Sequence, residues 1–272
     1  VPDVSVREQN LRVAVRNLAR ALGDDISEEQ PLLDSRLPDG SRVAAAFPPV
    51  SLGGTTLTIR KFQGRQYTAE ELVRLGTLTP QALEVMRQAI DARHNLLISG
   101  GTGTGKTTLL NALTAFLPPD DRLVVIEDTA ELQSASPNAV QLLAKRTEPP
   151  VAMRDLVQMT LRLRPDRIVV GEVRDGAALE VLKAWNTGHP GGIATIHANS
   201  APAALARLEQ LCMEVCERPP TALIDEAIDL IVFIARGGPA GRVVSEILAP
   251  KQRRESPKRA GEHASNPERS QT

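Results

Sequence analysis

The sequence contains few aromatic residues: tryptophan, tyrosine and phenylalanine together make up 2% of its 272 residues. Proteins that hold single-stranded nucleic acid stack the bases on aromatic side chains and track the backbone with a positively charged groove. The net charge of −1 at pH 7 supplies no excess of positive charge either. These two deficits argue against a helicase or recombinase, and we expect no direct sequence-specific binding of nucleic acid.

Cysteines and long apolar runs are also scarce. The two cysteines, Cys212 and Cys216, lie one helical turn apart without further cysteines or a nearby histidine, which favours a pair of reduced thiols over a zinc site. The longest strongly apolar run, residues 228–235, is interrupted by Asp229 and is too short to cross a bilayer.

The most informative motif that is present is GGTGTGKTT at residues 100–108. It matches G-x-x-x-x-G-K-[ST], in which the N–H groups of a glycine-rich turn surround a phosphate chain at the start of a helix. Lys106 can then reach the β- and γ-phosphates, and the Thr107 hydroxyl can coordinate Mg²⁺. A short apolar strand precedes the motif and a helical pattern follows it, so we predict a nucleoside triphosphate site. The predicted binding residues are Gly100, Gly101, Thr102, Gly103, Thr104, Gly105, Lys106, Thr107 and Thr108.

Two apolar runs further along the chain end in carboxylates. One ends in Glu127 and Asp128, and the other in Gly171 and Glu172. Ligands bind at the carboxyl ends of the strands in open α/β sheets, where a carboxylate can hold a magnesium-bound water or orient the attacking water. Acidic residues also begin many helices as caps, so each motif is weak alone. Beside a phosphate loop, both become candidate site residues.

A third apolar run carries the polar residues Thr195, His197 and Asn199 at alternate positions. An isolated histidine is usually structural, but three polar residues on one face at the end of a central strand favour a sensor of the γ-phosphate. Arginines that flank a phosphate site can neutralise charge in the transition state. The candidates of this kind are Arg60 with Lys61, Arg162, Arg164, Arg167 and Arg174.

The hydrophobic pattern changes along the chain and predicts two domains. A helix at 4–22, hairpin strands at 32–37 and 42–47 and a strand at 56–62 predict a small α+β domain at 1–66.

A linking helix is predicted at 67–78 and a mostly parallel α/β domain at 79–249, because the strands there are apolar on both faces and alternate with helices. The segments 230–235 and 242–248 predict a closing antiparallel hairpin. The segment 250–272 lacks apolar anchors and predicts a disordered, mildly basic tail.

These blocks together resemble the ATPases of the type II/type IV secretion superfamily, and among them the conjugal-transfer ATPases. The resemblance rests on GGTGTGKTT, VVIEDTAELQ, LTIRKF and LRLRPDRIVVGEVRDGAALEVLKAWNTGHPGGIATIHANS, and spans roughly residues 5–249. It implies a RecA-like ATPase domain that binds ATP and Mg²⁺, and an N-terminal domain that closes over the nucleotide. It also implies a homo-hexamer at the cytoplasmic face of the inner membrane, within a type IV secretion or conjugation complex.

The resemblance also assigns roles to residues. Glu127 and Asp128 with Glu131 match the aspartate box, Glu172 closes the Walker B strand, and His197 belongs to the histidine box. Glu127 is then the better candidate for the catalytic base, which leaves Glu172 and Thr107 for the metal; the sequence leaves that division open. Arg60 matches an N-domain arginine that contacts phosphates.

Two further expectations follow from the resemblance. The family's N-terminal domain usually begins well before a helix like that at 4–22, so we expect its start to be missing, which leaves ring assembly open. The lack of a four-cysteine zinc module disfavours the type II secretion and pilus-extension branches. The alternative to a conjugative motor is a tight-adherence or type IV pilus assembly or retraction ATPase.

Overall fold

The computed structural model describes residues 6–62, 66–134, 136–145 and 149–251, and the chain divides after residue 65 into two compact units. The smaller unit contains one helix and an antiparallel sheet. Its elements are α1 (Glu8–Ala21), β1 (Leu32–Arg36), β2 (Arg42–Ala46) and β3 (Thr56–Arg60). The core of this unit forms between α1 and the sheet, where Val15, Val43 and Phe47 are fully buried.

The larger unit is built on a sheet of mostly parallel strands. These are β4 (Leu96–Gly100), β5 (Leu123–Glu127), β6 (Ala139–Leu143), β7 (Arg167–Val173), β8 (Ile193–His197), β9 (Leu230–Arg236) and β10 (Arg242–Leu248). Their order is β10-β9-β4-β8-β7-β5-β6, and of these described strands β10 alone runs antiparallel to its neighbour. The carboxyl ends of β4, β5, β7, β8 and β9 therefore lie along one edge of the sheet.

Helices cover both faces of this sheet. They are α2 (Ala69–Arg74), α3 (Pro80–Asp91), α4 (Lys106–Thr114), α5 (Met153–Thr160), α6 (Ala177–Asn186), α7 (Ala201–Cys212) and α8 (Thr221–Ala227). Leu96 and Ile98 of β4 pack in a cluster with α2, α3 and α4, whereas Leu97 packs in a cluster with α5 to α8. Because both faces are buried, the central strands are apolar without alternation, as the sequence indicates.

The helix starts follow from local sequence. Thr68 accepts a hydrogen bond from the N–H of Glu71 while the Glu71 carboxylate accepts one from Thr68, which completes the predicted capping box of α2. Thr79 caps α3 with proline at its first position. The structure also contains two elements absent from our prediction, β6 and α8.

Both missed elements are short segments without strong local signals. The strand β6 has five residues and, among the described strands, pairs with β5 alone, so its conformation depends on a partner distant in sequence. The helix α8 has seven residues and follows two prolines. The predicted tail from residue 252 onward and the first residues of the predicted helix at 4–22 lie outside the described residues. No helix in the described ranges is long and apolar enough to cross a membrane.

Candidate nucleotide-binding site

The glycine-rich loop joins the central strand β4 to helix α4, as the sequence predicts. The strand ends at Gly100 and the helix begins at Lys106. Gly103 and Gly105 have φ values of +72° and +98°, in the left-handed region that side chains disfavour. Gly105 is also the N-cap of α4. The loop therefore leads directly into a helix N-terminus, which is an anion-binding arrangement.

Lys106 is buried at the base of this loop. Its Nζ donates to the carbonyl oxygens of Gly100 (3.2 Å) and Gly101 (3.1 Å), and lies 3.9 Å from Oε1 of Glu172. Burial lowers the pKa of Lys106, and the nearby Glu172 carboxylate opposes that shift. The side chain is thus fixed within the loop, between the turn and the acidic end of β7.

Glu127, at the end of β5, is 4% exposed and holds the chain that follows it. Its Oε1 accepts hydrogen bonds from the backbone N–H groups of Glu131 (2.8 Å) and Leu132 (2.9 Å). Asn111 of α4 holds the same segment, because its side chain donates to the carbonyl of Glu131 and accepts from the N–H of Gln133. The segment after β5 is therefore tied both to Glu127 and to the helix that follows the phosphate loop.

Gly171 lies against this carboxylate. A Cβ atom at residue 171 would be 3.0 Å from Cγ and 3.4 Å from Oε1 of Glu127. The carbonyl of Gly171 accepts a hydrogen bond from the hydroxyl of Thr195 on β8 (2.6 Å). Glu127 thus occupies the space that an aspartate at residue 171 would need.

Glu172 is held by Arg174. The Nε of Arg174 donates to Glu172 Oε2 at 2.7 Å, and its Nη1 donates to Oδ2 of Asp128 at 3.0 Å. One guanidinium therefore bridges the acidic residues that end β5 and β7, and a second cation, Lys106, faces Glu172 from the loop. The Glu172 carboxylate therefore lies between two cations, Lys106 and Arg174.

Thr195 and His197 of β8, and Asn199 two residues after it, differ in their surroundings. Thr195 is buried and bonds to Gly171, as described above. His197 ends the strand beside Gly100, with which it is in register, and is exposed. His197 and Asn199 line a cleft with Gly101 and Thr102 of the phosphate loop. Of the three predicted sensor residues, His197 and Asn199 line this cleft and Thr195 does not.

Two arginines beside the loop were missed by our reading of the sequence. Arg236, the last residue of β9, donates from Nη2 to the carbonyl of Thr102 at 3.3 Å. Arg242 opens β10, and its Cδ would lie 3.3 Å from a Cβ on Gly105. One signal in the sequence could have identified Arg236, which is its position at the end of an apolar run. A strand that lies beside β4 ends close to the phosphate loop.

Other predicted basic residues lie elsewhere. Arg167 begins β7, at the opposite end of the strand from Glu172, and is buried. Its Nε pairs with Asp121 at 2.7 Å and its Nη1 donates to the carbonyl of Ile90. Arg60 ends β3 in the smaller unit.

The residues near the loop suit a metal that binds few protein ligands. Among the described residues, no group of three or more histidines, cysteines and acids could hold an ion by itself. Mg²⁺ usually keeps several waters and takes one or two protein oxygens together with substrate phosphates. The Thr107 hydroxyl, in the first turn of α4, and the Glu172 carboxylate are oxygen donors of that kind and fit this ion.

Comparison with known proteins agrees with this geometry. Residues 5–265 match the family described as type II/IV secretion system protein. The chain is 49% identical over 240 residues to a probable conjugal transfer protein TrbB of Sinorhizobium fredii, which covers 87% of this chain and 72% of that protein.

Solved structures give the same fold. The chain resembles the VirB11 ATPase of the Brucella suis type IV secretion system, solved with sulphate, with a TM-score of 0.58 and 29% identity over 90% of this chain and 82% of that one. It resembles the pilus retraction motor PilT with bound ADP with a TM-score of 0.63 and 20% identity over 88% and 73% of the two chains, a likeness of fold alone. The predicted fold class, a RecA-like α/β ATPase domain after a small α+β domain, is confirmed.

Proposed function

The chain belongs to the type II/IV secretion system protein family, and from that membership we propose that it is the ATP-hydrolysing motor of a conjugative type IV secretion apparatus. The observation that carries the proposal is the placement of Lys106, which is fixed inside a glycine-rich loop and lies 3.9 Å from Glu172. A buried lysine between a phosphate-binding turn and a strand-end carboxylate is the arrangement that binds and activates a nucleoside triphosphate.

In this proposal the chain supplies positioning and charge. The N–H groups of the loop and the Lys106 ammonium bind the phosphates, and the N-terminus of α4 adds its positive dipole. Thr107 and Glu172 would hold Mg²⁺, which neutralises charge on the phosphates when bound. Glu127 orients the attacking water, because its backbone hydrogen bonds fix its carboxylate at the strand end next to Gly171. His197, which lines a cleft with Thr102 of the loop, senses the γ-phosphate in this proposal.

Hydrolysis of ATP by the isolated chain tests the central claim. Lys106→Ala removes the charge that faces the β- and γ-phosphates, so we expect turnover to fall to background while the melting temperature stays within a few degrees. Lys183→Ala is the matched control, because Lys183 is an exposed lysine of α6 that pairs with Glu180. Wild-type turnover in Lys106→Ala, with Lys183→Ala unchanged, would reject the site.

We also propose a homo-hexamer that acts at the cytoplasmic face of the inner membrane as part of a conjugation complex. Support comes from the resemblance to conjugal transfer and type IV secretion proteins. Native mass spectrometry with an ATP analogue and Mg²⁺ would report the subunit number. A chain that stays monomeric with bound nucleotide would remove the hexamer from the proposal.

The second candidate is a tight-adherence or type IV pilus assembly or retraction ATPase. The likeness to PilT supports the shared fold only, whereas relatives of 49% and 48% identity are described as a probable conjugal transfer protein and a conjugal transfer protein, which favours the first candidate. Partners co-purified from the native host decide between them: pilins and pilus-platform proteins support the second candidate, and conjugation proteins support the first.

Arg60 enters the proposal as a contact for the γ-phosphate. An arginine that bonds the γ-phosphate makes a charge-assisted contact in ATP that ADP lacks, which is worth about 1.5–3 kcal/mol. Arg60→Ala should then weaken binding of an ATP analogue about tenfold or more and leave ADP affinity nearly unchanged. Equal affinities in variant and parent would make Arg60 an ordinary surface residue.

A further inference from the structure

A cleft lined by positive and polar side chains opens beside the phosphate loop. We call it the β9 cleft, and its polar lining residues include Thr102, His197, Asn199 and Arg236. It lies at the ends of three adjacent strands, with β4 in the middle. Phe233 and Ala235 of β9 form its apolar wall. The volume of the cleft is about 440 Å³, which lies within the range of roughly 300–1,000 Å³ for small-ligand pockets.

The side chains of this cleft have hydrogen-bonding capacity to spare. In the described part of the chain, Arg236 makes one hydrogen bond, to the carbonyl of Thr102, and no ion pair. A guanidinium carries five N–H donors, so most of them remain available to a ligand. His197 and Asn199 are exposed and have no hydrogen bond from their side chains within the same ranges. The cleft therefore offers hydrogen-bond donors from the ends of β8 and β9, the two strands that flank β4.

Charge distinguishes this cleft from the region at the carboxyl ends of β5 and β7. None of the cleft's lining residues, all of them described, is acidic. Across the loop, by contrast, the three carboxylates of Glu127, Asp128 and Glu172 outnumber the two cations paired with them, Arg174 and Lys106. An anion released between these two regions is repelled by the carboxylates and attracted by the guanidinium.

We propose that the β9 cleft binds inorganic phosphate, the product of hydrolysis, as it leaves the active site. This inference rests on the proposed function. Hydrolysis forms a bond from the water oxygen to the γ-phosphorus, breaks the bond from that phosphorus to the β–γ bridging oxygen, and yields ADP, inorganic phosphate and a proton. The divalent phosphate moves past Thr102 to Arg236, His197 and Asn199, and ADP stays on the loop.

The test uses inorganic phosphate as the probe and the full chain saturated with ADP. Phosphate affinity is measured by calorimetry, and phosphate inhibition is measured in steady-state ATP hydrolysis. A charge-assisted contact is lost in Arg236→Gln, so phosphate affinity should fall about tenfold or more. Its affinity for ADP should remain within about twofold, because in this inference Arg236 does not bind ADP.

Arg242→Gln is the matched control. Arg242 stands opposite Arg236 in the register of β9 and β10 and lies against Gly105, but it does not line the cleft. The substitution Arg242→Gln removes one positive charge from the same hairpin as Arg236→Gln. A general loss of positive potential would therefore lower the phosphate affinity of both variants equally. A fall in phosphate affinity that is confined to Arg236→Gln supports the inference.

Two results would overturn the inference: equal losses of phosphate affinity in both variants, or an unchanged phosphate affinity in Arg236→Gln, whether or not its KM for ATP changes. If glutamine at residue 236 disturbs folding, Arg236→Lys provides a second test, because it keeps the positive charge. This variant should retain part of the phosphate affinity. Failure of the parent chain to bind ADP would instead reject the proposed function, which separates the two claims.

Discussion

The side chain of Glu127 fills the space into which a side chain at Gly171 would project, with 3.0 Å between Glu127 Cγ and the position of that Cβ. Many phosphate-loop ATPases carry a metal-binding aspartate at the position of Gly171. Here the neighbouring strand supplies the buried carboxylate instead. The glycine and the glutamate are therefore one packing unit, and a change in either affects the other.

Gly171→Asp should inactivate the chain instead of adding a metal ligand. The new side chain would displace Glu127 and break its hydrogen bonds to Glu131 and Leu132, each worth about 1–3 kcal/mol when a buried group loses its partner. For a domain of roughly 150–250 residues, each kcal/mol lowers Tm by about 2–4 °C. We expect a Tm several degrees lower and little ATP turnover; parental values for both would show that Glu127 moves aside freely.

Glu127 combines a structural and a chemical role, and two variants separate them. Glu127→Gln retains an oxygen that can accept from the N–H groups of Glu131 and Leu132, so Tm should change little. Loss of the carboxylate that orients water should reduce turnover by about two to four orders of magnitude with Mg-ATP affinity retained. Glu127→Ala should lower Tm as well, and a fully active Glu127→Gln would assign the water to another residue.

Glu172→Gln should change the response to magnesium. The variant loses the carboxylate that faces Lys106 and Arg174, and we expect half-maximal turnover to require several-fold more Mg²⁺. A magnesium titration of ATP hydrolysis measures this, with Asp155→Asn as a control on α5. If Glu127→Gln shifted the magnesium response and Glu172→Gln did not, the two glutamates would exchange roles.

Truncation should distinguish Pro250 and Lys251 from the rest of the C-terminal segment. The Nζ of Lys251 pairs with Asp229 at 2.6 Å, and Pro250 is buried. A chain that ends at Lys251 should keep its Tm and its basal ATPase activity within a few-fold. A chain that ends at Ala249 loses a partly exposed ion pair of about 0–1 kcal/mol and should melt slightly lower. If the chain that ends at Lys251 lost most of its activity, or lost its oligomers on a sizing column, the segment after Lys251 would have a role in assembly.

The two cysteines should differ in reactivity. Cys212 is fully buried, and burial raises the pKa of its thiol to about 11, so little thiolate forms near pH 8. Cys216 is only half-buried. Iodoacetamide should alkylate Cys216 first and reach Cys212 only after denaturation, as peptide mass spectrometry would show. Fast labelling of Cys212 in a native Cys216→Ser variant would contradict its burial.

The sequence by itself determined the nucleotide loop and most of the fold. The glycines, Lys106 and Thr107 are contiguous, so their relative positions depend on local backbone geometry. The apolar period, Thr68 with Glu71 and the prolines near helix starts act over a few residues. This is why α1, the three strands of the smaller unit and the closing hairpin were predicted near their observed bounds. The weakly marked elements β6 and α8 have no such local signal.

Only the tertiary structure decided what surrounds the loop. Arg236 contacts Thr102 although 134 residues separate them, because β9 lies beside β4 in the sheet. The hydroxyl of Thr195 bonds to the carbonyl of Gly171 on the adjacent strand, a partner that the sequence does not indicate. The order of the strands in the sheet differs from their order in the chain. A motif therefore shows which residues end a strand, but not which neighbours they meet there.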